Sequence, residues 1–197
     1  MSPSTRQQIR TLIRGRRQSI RIDQQAQYAL ALVERAKQLR ELRAGQKVAL
    51  YLATDGELDT QPLIEWCWQQ GIETYLPVIH PFSKGHLLFL RYAHTTPLVH
   101  NQYKILEPKL DTQTICPVAD LDIIFTPLVA FDDDGQRLGM GGGYYDRTLA
   151  LFATNQAGPK AIGLAHDCQQ VDRLPIESWD IPLSTIMTPS KIWRWQK

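Results

Sequence analysis

Several features are scarce in this sequence of 197 residues, and each scarcity excludes a class of protein. Its three cysteines lie far apart without a C-x-x-C pair, which excludes a disulfide framework and a cysteine-rich zinc site. The longest nearly apolar run, residues 123–131, is much shorter than the roughly 20 residues that span a bilayer. The N-terminal segment is polar and rich in arginine, so we expect no signal peptide and a cytoplasmic protein. What remains is an ordinary globular composition, with 43% hydrophobic and 21% charged residues.

Common catalytic and metal-binding motifs are also missing. No G-x-S-x-G string is present, so nothing predicts an acyl-transfer triad. The five histidines are dispersed, and none has a cysteine at the spacing of metal ligands. The chemistry must therefore depend on other residue types.

Positive charge is concentrated at the N-terminus. The first 45 residues carry ten lysines and arginines against three acidic residues, a net charge of +7, which leaves −5 for the rest of the chain. Such a basic segment needs an anionic ligand or an acidic surface to face. Nucleic acid, a membrane and phosphate-bearing small molecules all satisfy that need.

The basic segment is predicted to begin with an amphipathic helix, which Ser4 or Thr5 can cap. Its apolar stripe, at the spacing i, i+3 and i+4, consists of Ile9, Leu12 and Ile13. Its basic face, with a spacing of four residues, consists of Arg6, Arg10 and Arg14. Gly15 is expected to weaken this helix, and Asp23 to cap a second one that runs to about Arg43.

The rest of the chain alternates strands with helices. A strand at 47–53, a helix at 60–70 and a strand at 73–78 have the spacing of a β-α-β unit with parallel strands. Further strands are predicted at 86–92, 122–131, 159–165, 184–188 and 191–195, with a helix at 144–152. The fold class is therefore α/β, a three-layer sandwich with a mainly parallel sheet and helices on both faces. Ligands bind such folds beyond the carboxyl ends of the strands, where the turns 53–60 and 131–144 lie.

The second of these turns is rich in glycine. Four glycines fall within five positions, namely Gly139, Gly141, Gly142 and Gly143. Glycines let backbone N–H groups converge on an anion, and the helix that follows adds its dipole. The segment is neither a P-loop nor a dinucleotide fingerprint, because Tyr144 stands where the last glycine of G-x-G-x-x-G would be. It predicts a phosphate cradle in which Arg137 clamps a phosphate; the alternatives are a tight turn that needs positive φ and a surface arginine.

Acidic residues supply the remaining candidates. In the turn Asp55-Gly-Glu-Leu-Asp-Thr60, Asp59 and Thr60 are explained by turn formation and helix capping. Glu57 is not, and it could bind the amine or amide donors of a polar ring, or a cation. Asp146 and Asp180 could supply oxygen ligands for Mg²⁺ near phosphates, or could be surface and capping residues.

Taken together and in this order, these segments resemble the 5-formyltetrahydrofolate cyclo-ligase (5,10-methenyltetrahydrofolate synthetase) family over nearly the whole chain. The strings that carry the resemblance are Arg6-Gln-Gln-Ile-Arg10, Tyr51-Leu-Ala-Thr-Asp-Gly-Glu-Leu-Asp-Thr60, Tyr75-Leu-Pro-Val78, Thr126-Pro-Leu-Val-Ala-Phe-Asp132, Arg137-Leu-Gly-Met-Gly-Gly-Gly-Tyr-Tyr-Asp146 and Trp179-Asp180.

The resemblance implies a fold, a reaction and a set of partners. The fold would be NagB/RpiA/CoA transferase-like, with residues 1–197 forming one cyclo-ligase domain that starts with a basic helix. The reaction would be the ATP- and Mg²⁺-dependent cyclisation of 5-formyltetrahydrofolate to 5,10-methenyltetrahydrofolate, with release of ADP and phosphate, through a phosphorylated formyl group (an iminium phosphate). The partners would be small molecules only, with no nucleic acid and no membrane, and the protein would be a monomer.

Roles follow from the resemblance position by position. The catalytic positions would be Arg137 and Tyr144. The ATP-binding positions would be Arg6, Arg10, Arg137, Leu138, Gly139, Met140, Gly141, Gly142, Gly143, Tyr144 and Tyr145. The folate-binding positions would be Leu52, Glu57, Met140, Gly141, Gly142, Gly143 and Tyr144. The metal ligands would be Asp146 and Asp180.

The chain departs from some relatives within the glycine-rich turn. Those relatives carry arginine and lysine where this chain has Met140 and Gly142, so two positive charges are missing here. We therefore expect the N-terminal arginines and Mg²⁺ to contribute more to triphosphate binding. Arg6 stands where many relatives have lysine, which keeps the charge and changes its geometry.

Two other functions compete with this one. A nucleic-acid-binding module would use the basic helix, but no aromatic residues are interleaved with its arginines and no known module is present. A nucleotide- or sugar-phosphate-binding enzyme of the same fold, related to sugar-phosphate isomerases or CoA transferases, would have a different substrate, and fold alone does not decide between them. Such an enzyme would not hydrolyse ATP in response to a formylated folate.

Overall fold

A computed structural model describes residues 5–150, 152 and 158–195. The helices are α1 (Arg6–Gln18), α2 (Ile22–Ala36), α3 (Gln61–Gln69) and α4 (Tyr144–Ala150). The strands are β1 (Lys47–Ala49), β2 (Glu73–Ile79), β3 (Leu87–Tyr92), β4 (Leu98–His100), β5 (Leu106–Pro108), β6 (Ile115–Cys116), β7 (Ile123–Pro127), β8 (Ala130–Phe131), β9 (Arg137–Leu138), β10 (Lys160–Leu164), β11 (Thr185–Met187) and β12 (Ile192–Arg194). Short 3₁₀ turns occupy Thr112–Thr114, Val118–Asp120 and Asp167–Gln169.

An eight-stranded sheet forms the centre of the structure. Its order is β12-β11-β10-β7-β1-β2-β3-β6. The five strands from β11 to β2 are parallel, and β12, β3 and β6 add antiparallel edges. The predicted mainly parallel sheet is therefore confirmed, and the carboxyl ends of its central strands lie along one edge.

Alternation of side chains along the central strands builds two hydrophobic layers. Val48 of β1 and Phe125 of β7 pack with helices α2 and α3 on one face of the sheet. Their neighbours along the strands, Ala49 and Ile124, pack on the opposite face with Leu149 of α4. This arrangement gives the three layers that the sequence predicts.

Helix α1 lies outside these layers, over the carboxyl edge of the sheet. Ile9 and Ile13 are buried in a separate small cluster against the β8–β9 ribbon, where they meet Leu138. Thr5 caps the helix and forms a capping box with Gln8, which confirms one of the two predicted caps. The other predicted cap, Ser4, lies outside the described residues.

One prediction about α1 is wrong. Leu12 is 54% exposed, because the helix rests on a narrow ribbon that covers only the stripe of Ile9 and Ile13. The helix also continues through Gly15 to Gln18. A helical glycine costs about 1 kcal/mol relative to alanine, and burial of Ile13 and Arg17 on either side of it offsets that cost.

Other element boundaries also differ from prediction. Helix α2 starts after Arg21, with Asp23 in its first turn instead of at its cap, and it ends at Ala36, well before Arg43. The chain must turn there to bring buried Leu39 into the core and to reach β1. The apolar run 122–131 divides at Pro127, because its last two residues pair with β9 and leave the main sheet.

Three further differences concern the strands and the fourth helix. β1 ends at Ala49, although the Leu50 N–H still donates to the carbonyl of Tyr75 in β2 at 2.9 Å. The hairpin β4–β5, at 98–108, is made of short strands with little burial and was not predicted. The predicted helix 144–152 is observed over Tyr144–Ala150, and residue 151 lies outside the described part of the chain. Within the described residues, no helix combines the length and the apolar character needed to cross a bilayer.

One buried titratable group lies at the carboxyl end of β10. His166 is 1% exposed, its ring packs 5.6 Å from the ring of Tyr28, and neither ring nitrogen has a hydrogen-bond partner. Burial lowers the pKa of His166 to about 4. Because the unfolded chain binds this proton at an ordinary pKa of about 6.5, stability is lost as the pH falls from 6.5 toward 4.

We expect His166→Phe to remove this loss. Between pH 7 and pH 4.5 the wild-type protein should lose about 2–3 kcal/mol more of its free energy of unfolding than the variant. Urea unfolding at the two pH values measures the difference. The exposed His100 provides the control, since His100→Asn should keep the wild-type dependence on pH. Equal losses in wild type and His166→Phe would show that His166 does not enter the folded state uncharged.

Candidate active site

The arginine face of α1 contacts three loops at the carboxyl edge of the sheet. We name them the acidic turn (residues 54–59, after β1), the glycine loop (residues 139–143, after β9) and the late loop (residues 175–180). Arg6 binds the late loop, Arg10 the glycine loop and Arg14 the acidic turn. One helix thus brings together segments that are far apart in the sequence.

An ion pair between Arg6 and Asp180 joins α1 to the late loop. The Arg6 guanidinium donates to both carboxylate oxygens of Asp180, at 2.5 and 3.0 Å, and to the carbonyl of Pro175 at 3.1 Å. Burial opposes ionisation of Asp180, but the Arg6 hydrogen bonds and the backbone N–H of Glu177 outweigh it and lower the pKa of that carboxyl. Asp180 is therefore held as a carboxylate beside α1.

A second ion pair joins Arg137 to Asp146. Arg137 lies on β9 with its side chain only 2% exposed, and its Nη2 donates to Asp146 at 2.6 Å. Burial lowers the pKa of Arg137, and its buried Nε has no hydrogen-bond partner. A buried cation with an unused donor is suited to bind an anion.

The glycine loop lies between Arg10 and Tyr144. Arg10 donates to the carbonyl of Gly139 at 2.8 Å, while a side chain at Gly142 would come within 2.8 Å of the Tyr144 ring. Gly141 has φ 101° and Gly143 has φ 67°, so both occupy the left-handed region that favours glycine. The alternative of a turn that needs positive φ therefore explains two of the four glycines.

Two contacts to this loop come from residues that sequence reasoning missed. Arg147, one turn into α4, donates to the carbonyls of Gly142 at 2.8 Å and Gly85 at 3.2 Å. Tyr103, at the tip of the β4–β5 hairpin, lies 3.2 Å from the Tyr144 hydroxyl, and their hydrogen bond raises the pKa of Tyr144. Arg147 directly follows Asp146, the last residue of the glycine-rich motif, so its position in the sequence was a signal. Tyr103 lies in a hairpin that the sequence pattern does not predict, so no sequence signal pointed to it.

Glu57 lies in the acidic turn, which follows β1, and Leu52, just before that turn, is partly buried against the core. Burial raises the pKa of Glu57, and its carboxylate accepts a hydrogen bond from the Thr54 N–H at 3.0 Å. Burial and the nearby Glu57 carboxylate together raise the pKa of Tyr145. The acidic turn and the start of α4 therefore meet in one partly buried, polar region.

Asp146 and Asp180, the predicted metal ligands, are each paired with an arginine. The described residues contain no group of three or more histidine, cysteine, aspartate or glutamate side chains that could hold an ion alone. Mg²⁺ is commonly bound by one or two carboxylates together with substrate phosphates and water. Two carboxylates near the glycine loop fit an ion that arrives with a nucleotide.

The structure thus brings the predicted positions to one edge of the sheet. It also adds to the site five residues that had no assigned role, namely Arg14, Arg17, Asp55, Tyr103 and Arg147. Arg14 shares the helix face of Arg6 and Arg10, but its partner Asp55 lies 41 residues away along the chain, so spacing alone does not reveal the pair.

Comparison with known proteins places these features in a family. A model of the 5-formyltetrahydrofolate cyclo-ligase family matches residues 2–189. The chain is 50% identical to 5-formyltetrahydrofolate cyclo-ligase of Escherichia coli strain K12 over 184 residues, covering 93% of this chain and 100% of that one. It is 50% identical to the cyclo-ligase of Haemophilus influenzae over 187 residues, covering 95% and 99%.

A solved structure agrees with the sequence relatives. The structure of Aquifex aeolicus 5,10-methenyltetrahydrofolate synthetase superposes with a TM-score of 0.80 at 28% identity, covering 96% of this chain and 92% of that one. The α/β fold is shared, with its mostly parallel central sheet. The chain belongs to the 5-formyltetrahydrofolate cyclo-ligase family.

Proposed function

We propose that this protein cyclises 5-formyltetrahydrofolate to 5,10-methenyltetrahydrofolate, with conversion of ATP to ADP and phosphate. Among the structural observations, the proposal rests chiefly on the meeting of the α1 arginines, the glycine loop and two carboxylates at one edge of the sheet. Membership of the family, with relatives of that name at 50% identity, supports the same enzymatic activity.

We also propose that residues 1–197 form one domain and that the protein is a monomer. We propose a cytoplasmic location as well, which the three free cysteines favour.

The reaction needs activation of a formamide, whose oxygen is a poor leaving group. The formyl oxygen attacks the γ-phosphorus of ATP, the bond from that phosphorus to ADP breaks, and an iminium phosphate forms on N5 of the folate. N10 then attacks the formyl carbon and loses its proton, and phosphate departs with the formyl oxygen. Both steps depend on positioning and charge neutralisation and need no nucleophilic side chain.

Positive side chains supply that neutralisation in our proposal. Arg6 and Arg10 reach the triphosphate from α1, and Arg137 reaches it from β9 through its unused Nε. Backbone N–H groups from Leu138 to Tyr145, a segment that includes the glycine loop, add further donors. Tyr144, next to the loop, orients the transferred phosphoryl group through its hydroxyl, which lies 3.2 Å from the hydroxyl of Tyr103.

The folate is proposed to lie between the acidic turn and the glycine loop. Glu57 accepts hydrogen bonds from the pterin ring, Leu52 contacts the ring, and residues 140–144 line the other side. The partly buried position of Glu57 suits this role, because a hydrogen bond shielded from water is stronger than an exposed one.

Asp146 and Asp180 are proposed to hold Mg²⁺, which when bound neutralises charge on the β- and γ-phosphates. Each aspartate is now paired with an arginine. Binding of Mg²⁺ and the nucleotide together would let those arginines turn to phosphate oxygens. Each aspartate would then face Mg²⁺ and each arginine a phosphate, so no charge would be left without an opposite charge.

The orientation of the α1 arginines argues against the nucleic-acid alternative. Arg6, Arg14 and Arg17 each bind a carboxylate of this chain, so they are not presented as a free basic surface. A nucleic-acid site would instead require exposed lysines and arginines along one face.

The first test mixes the purified protein with 5-formyltetrahydrofolate and Mg²⁺, with and without ATP, and follows the near-ultraviolet absorbance of the methenyl product. We expect an increase that requires ATP. Asp146→Ala should raise the Mg²⁺ concentration for half-maximal rate tenfold or more, since one of two ligands is lost. Asp172→Ala, which removes an exposed aspartate, should match wild type. If ATP binds and no absorbance change follows, the acceptor is a different molecule.

The second test concerns the charges missing at Met140 and Gly142. Met140 is exposed in the glycine loop and offers no positive charge there. Arg10→Ala should therefore raise the KM for ATP tenfold or more, about 1.4 kcal/mol of lost binding. Arg16→Ala, an exposed arginine of the same helix, serves as the control. Steady-state kinetics with varied ATP decides, and an unchanged KM in Arg10→Ala would contradict the assigned role.

A further inference from the structure

Asp55 collects hydrogen bonds from three side chains of α1, and the proposed reaction uses none of them. Arg14 donates to its two carboxylate oxygens at 2.6 and 3.1 Å. Arg17 donates to one oxygen at 2.8 Å, and Gln18 to the other at 2.6 Å. The Arg14 hydrogen bonds are the main reason why the pKa of Asp55 is lowered. The carboxylate is therefore fully occupied by a single helix.

Arg17 makes this contact important for the position of the helix. Its side chain is fully buried, and Asp55 provides the carboxylate that neutralises it. Its remaining contact is a 3.4 Å hydrogen bond to the carbonyl of Leu128, just after β7. A buried charge that loses its partner is strongly destabilising. Loss of Asp55 would therefore leave an uncompensated buried charge where the end of α1 meets the acidic turn.

The backbone of the acidic turn is shaped by the same contact. Asp55 has φ 52° and Gly56 has φ 71°, two consecutive residues in the left-handed region. A Cβ at Gly56 would lie 3.2 Å from the backbone carbonyl of Arg17. A left-handed non-glycine residue costs of order 1–3 kcal/mol and persists only where its surroundings impose it. Here the ion pairs with α1 impose it.

This backbone shape determines where Glu57 lies. The Glu57 N–H donates to the carbonyl of Thr54 at 2.9 Å, and the Glu57 carboxylate accepts from the Thr54 N–H at 3.0 Å. The turn closes on itself around Asp55 and Gly56, so a change in their conformation moves the Glu57 carboxylate. Asp55 can therefore influence folate binding without contacting the folate.

We propose that Asp55 is a positioning residue that holds Glu57 for the folate and couples folate binding to nucleotide binding through α1. The inference rests on the proposed function, which places ATP at Arg6 and Arg10. Arg6 and Arg14 are eight residues apart, about 12 Å along one helix. Nucleotide binding at the first end of α1 restrains the helix, and Asp55 passes that restraint to the acidic turn.

The experiment measures equilibrium binding to the full-length protein, without turnover. Calorimetry gives the Kd of 5-formyltetrahydrofolate for wild type, Asp55→Asn and Asp23→Asn, with and without a non-hydrolysable ATP analogue and Mg²⁺. Asp23 is the matched control, because its exposed pair with Arg21 also joins an arginine to an aspartate but lies away from the site.

We expect the analogue to tighten folate binding to wild type threefold or more. Asp55→Asn should weaken folate binding in the presence of the analogue tenfold or more and should abolish the tightening. The Kd of the analogue alone should stay within about twofold of wild type. General destabilisation would weaken the binding of both ligands, so it would not produce a change in folate binding alone. Asp23→Asn should behave as wild type.

Arg14→Ala keeps the experiment decisive if Asp55→Asn fails to fold. It removes two of the hydrogen bonds to Asp55 from a half-exposed side chain and leaves the buried Arg17 paired. We expect it to weaken folate binding threefold or more and to reduce the tightening.

Each other outcome overturns a specific statement. If wild type binds both ligands and the variants keep its folate Kd and its tightening, Asp55 is structural only and the inference is wrong. If wild type shows no tightening by the analogue, the coupling is wrong. If wild type binds the nucleotide but not the folate, the proposed function fails and the inference fails with it.

Discussion

The attachment of helix α1 to the carboxyl edge of the sheet organises the whole site. Its hydrophobic contact is small, since only Ile9 and Ile13 are buried against the β8–β9 ribbon. Ion pairs complete the attachment at both ends, through Asp180 at the first turn and Asp55 at the last. Partly buried charges of this kind are stable only when paired, so the loops and the helix depend on each other for their positions.

In the function that we propose, the same ion pairs let one site accept a highly charged nucleotide together with Mg²⁺. Asp146 and Asp180 lie beside the arginines that face the glycine loop, and the pairing keeps buried Arg137 charged and Asp180 ionised. A triphosphate with Mg²⁺ brings both an anion for the arginines and a cation for the carboxylates. Partners can then be exchanged without any buried charge being left alone, which keeps the cost of reorganisation low.

Local patterns predicted the parts of this structure that depend on neighbours in sequence. Apolar periodicity located α1 with its buried Ile9 and Ile13, the β-α-β unit and the parallel sheet, and the glycine-rich segment located the loop. Contacts between distant segments could not be predicted from spacing. Arg14 meets Asp55 across 41 residues, and Arg6 meets Asp180 across 174.

Because α1 joins the acidic turn, the glycine loop and the late loop, we expect the three loops to respond together when the nucleotide binds. Amide hydrogen exchange of the full chain, with and without Mg²⁺ and a non-hydrolysable ATP analogue, measures this directly. We expect slower exchange in α1 and in all three loops when the analogue binds. Slower exchange confined to residues 139–143, with α1 and the other two loops unchanged, would contradict the account.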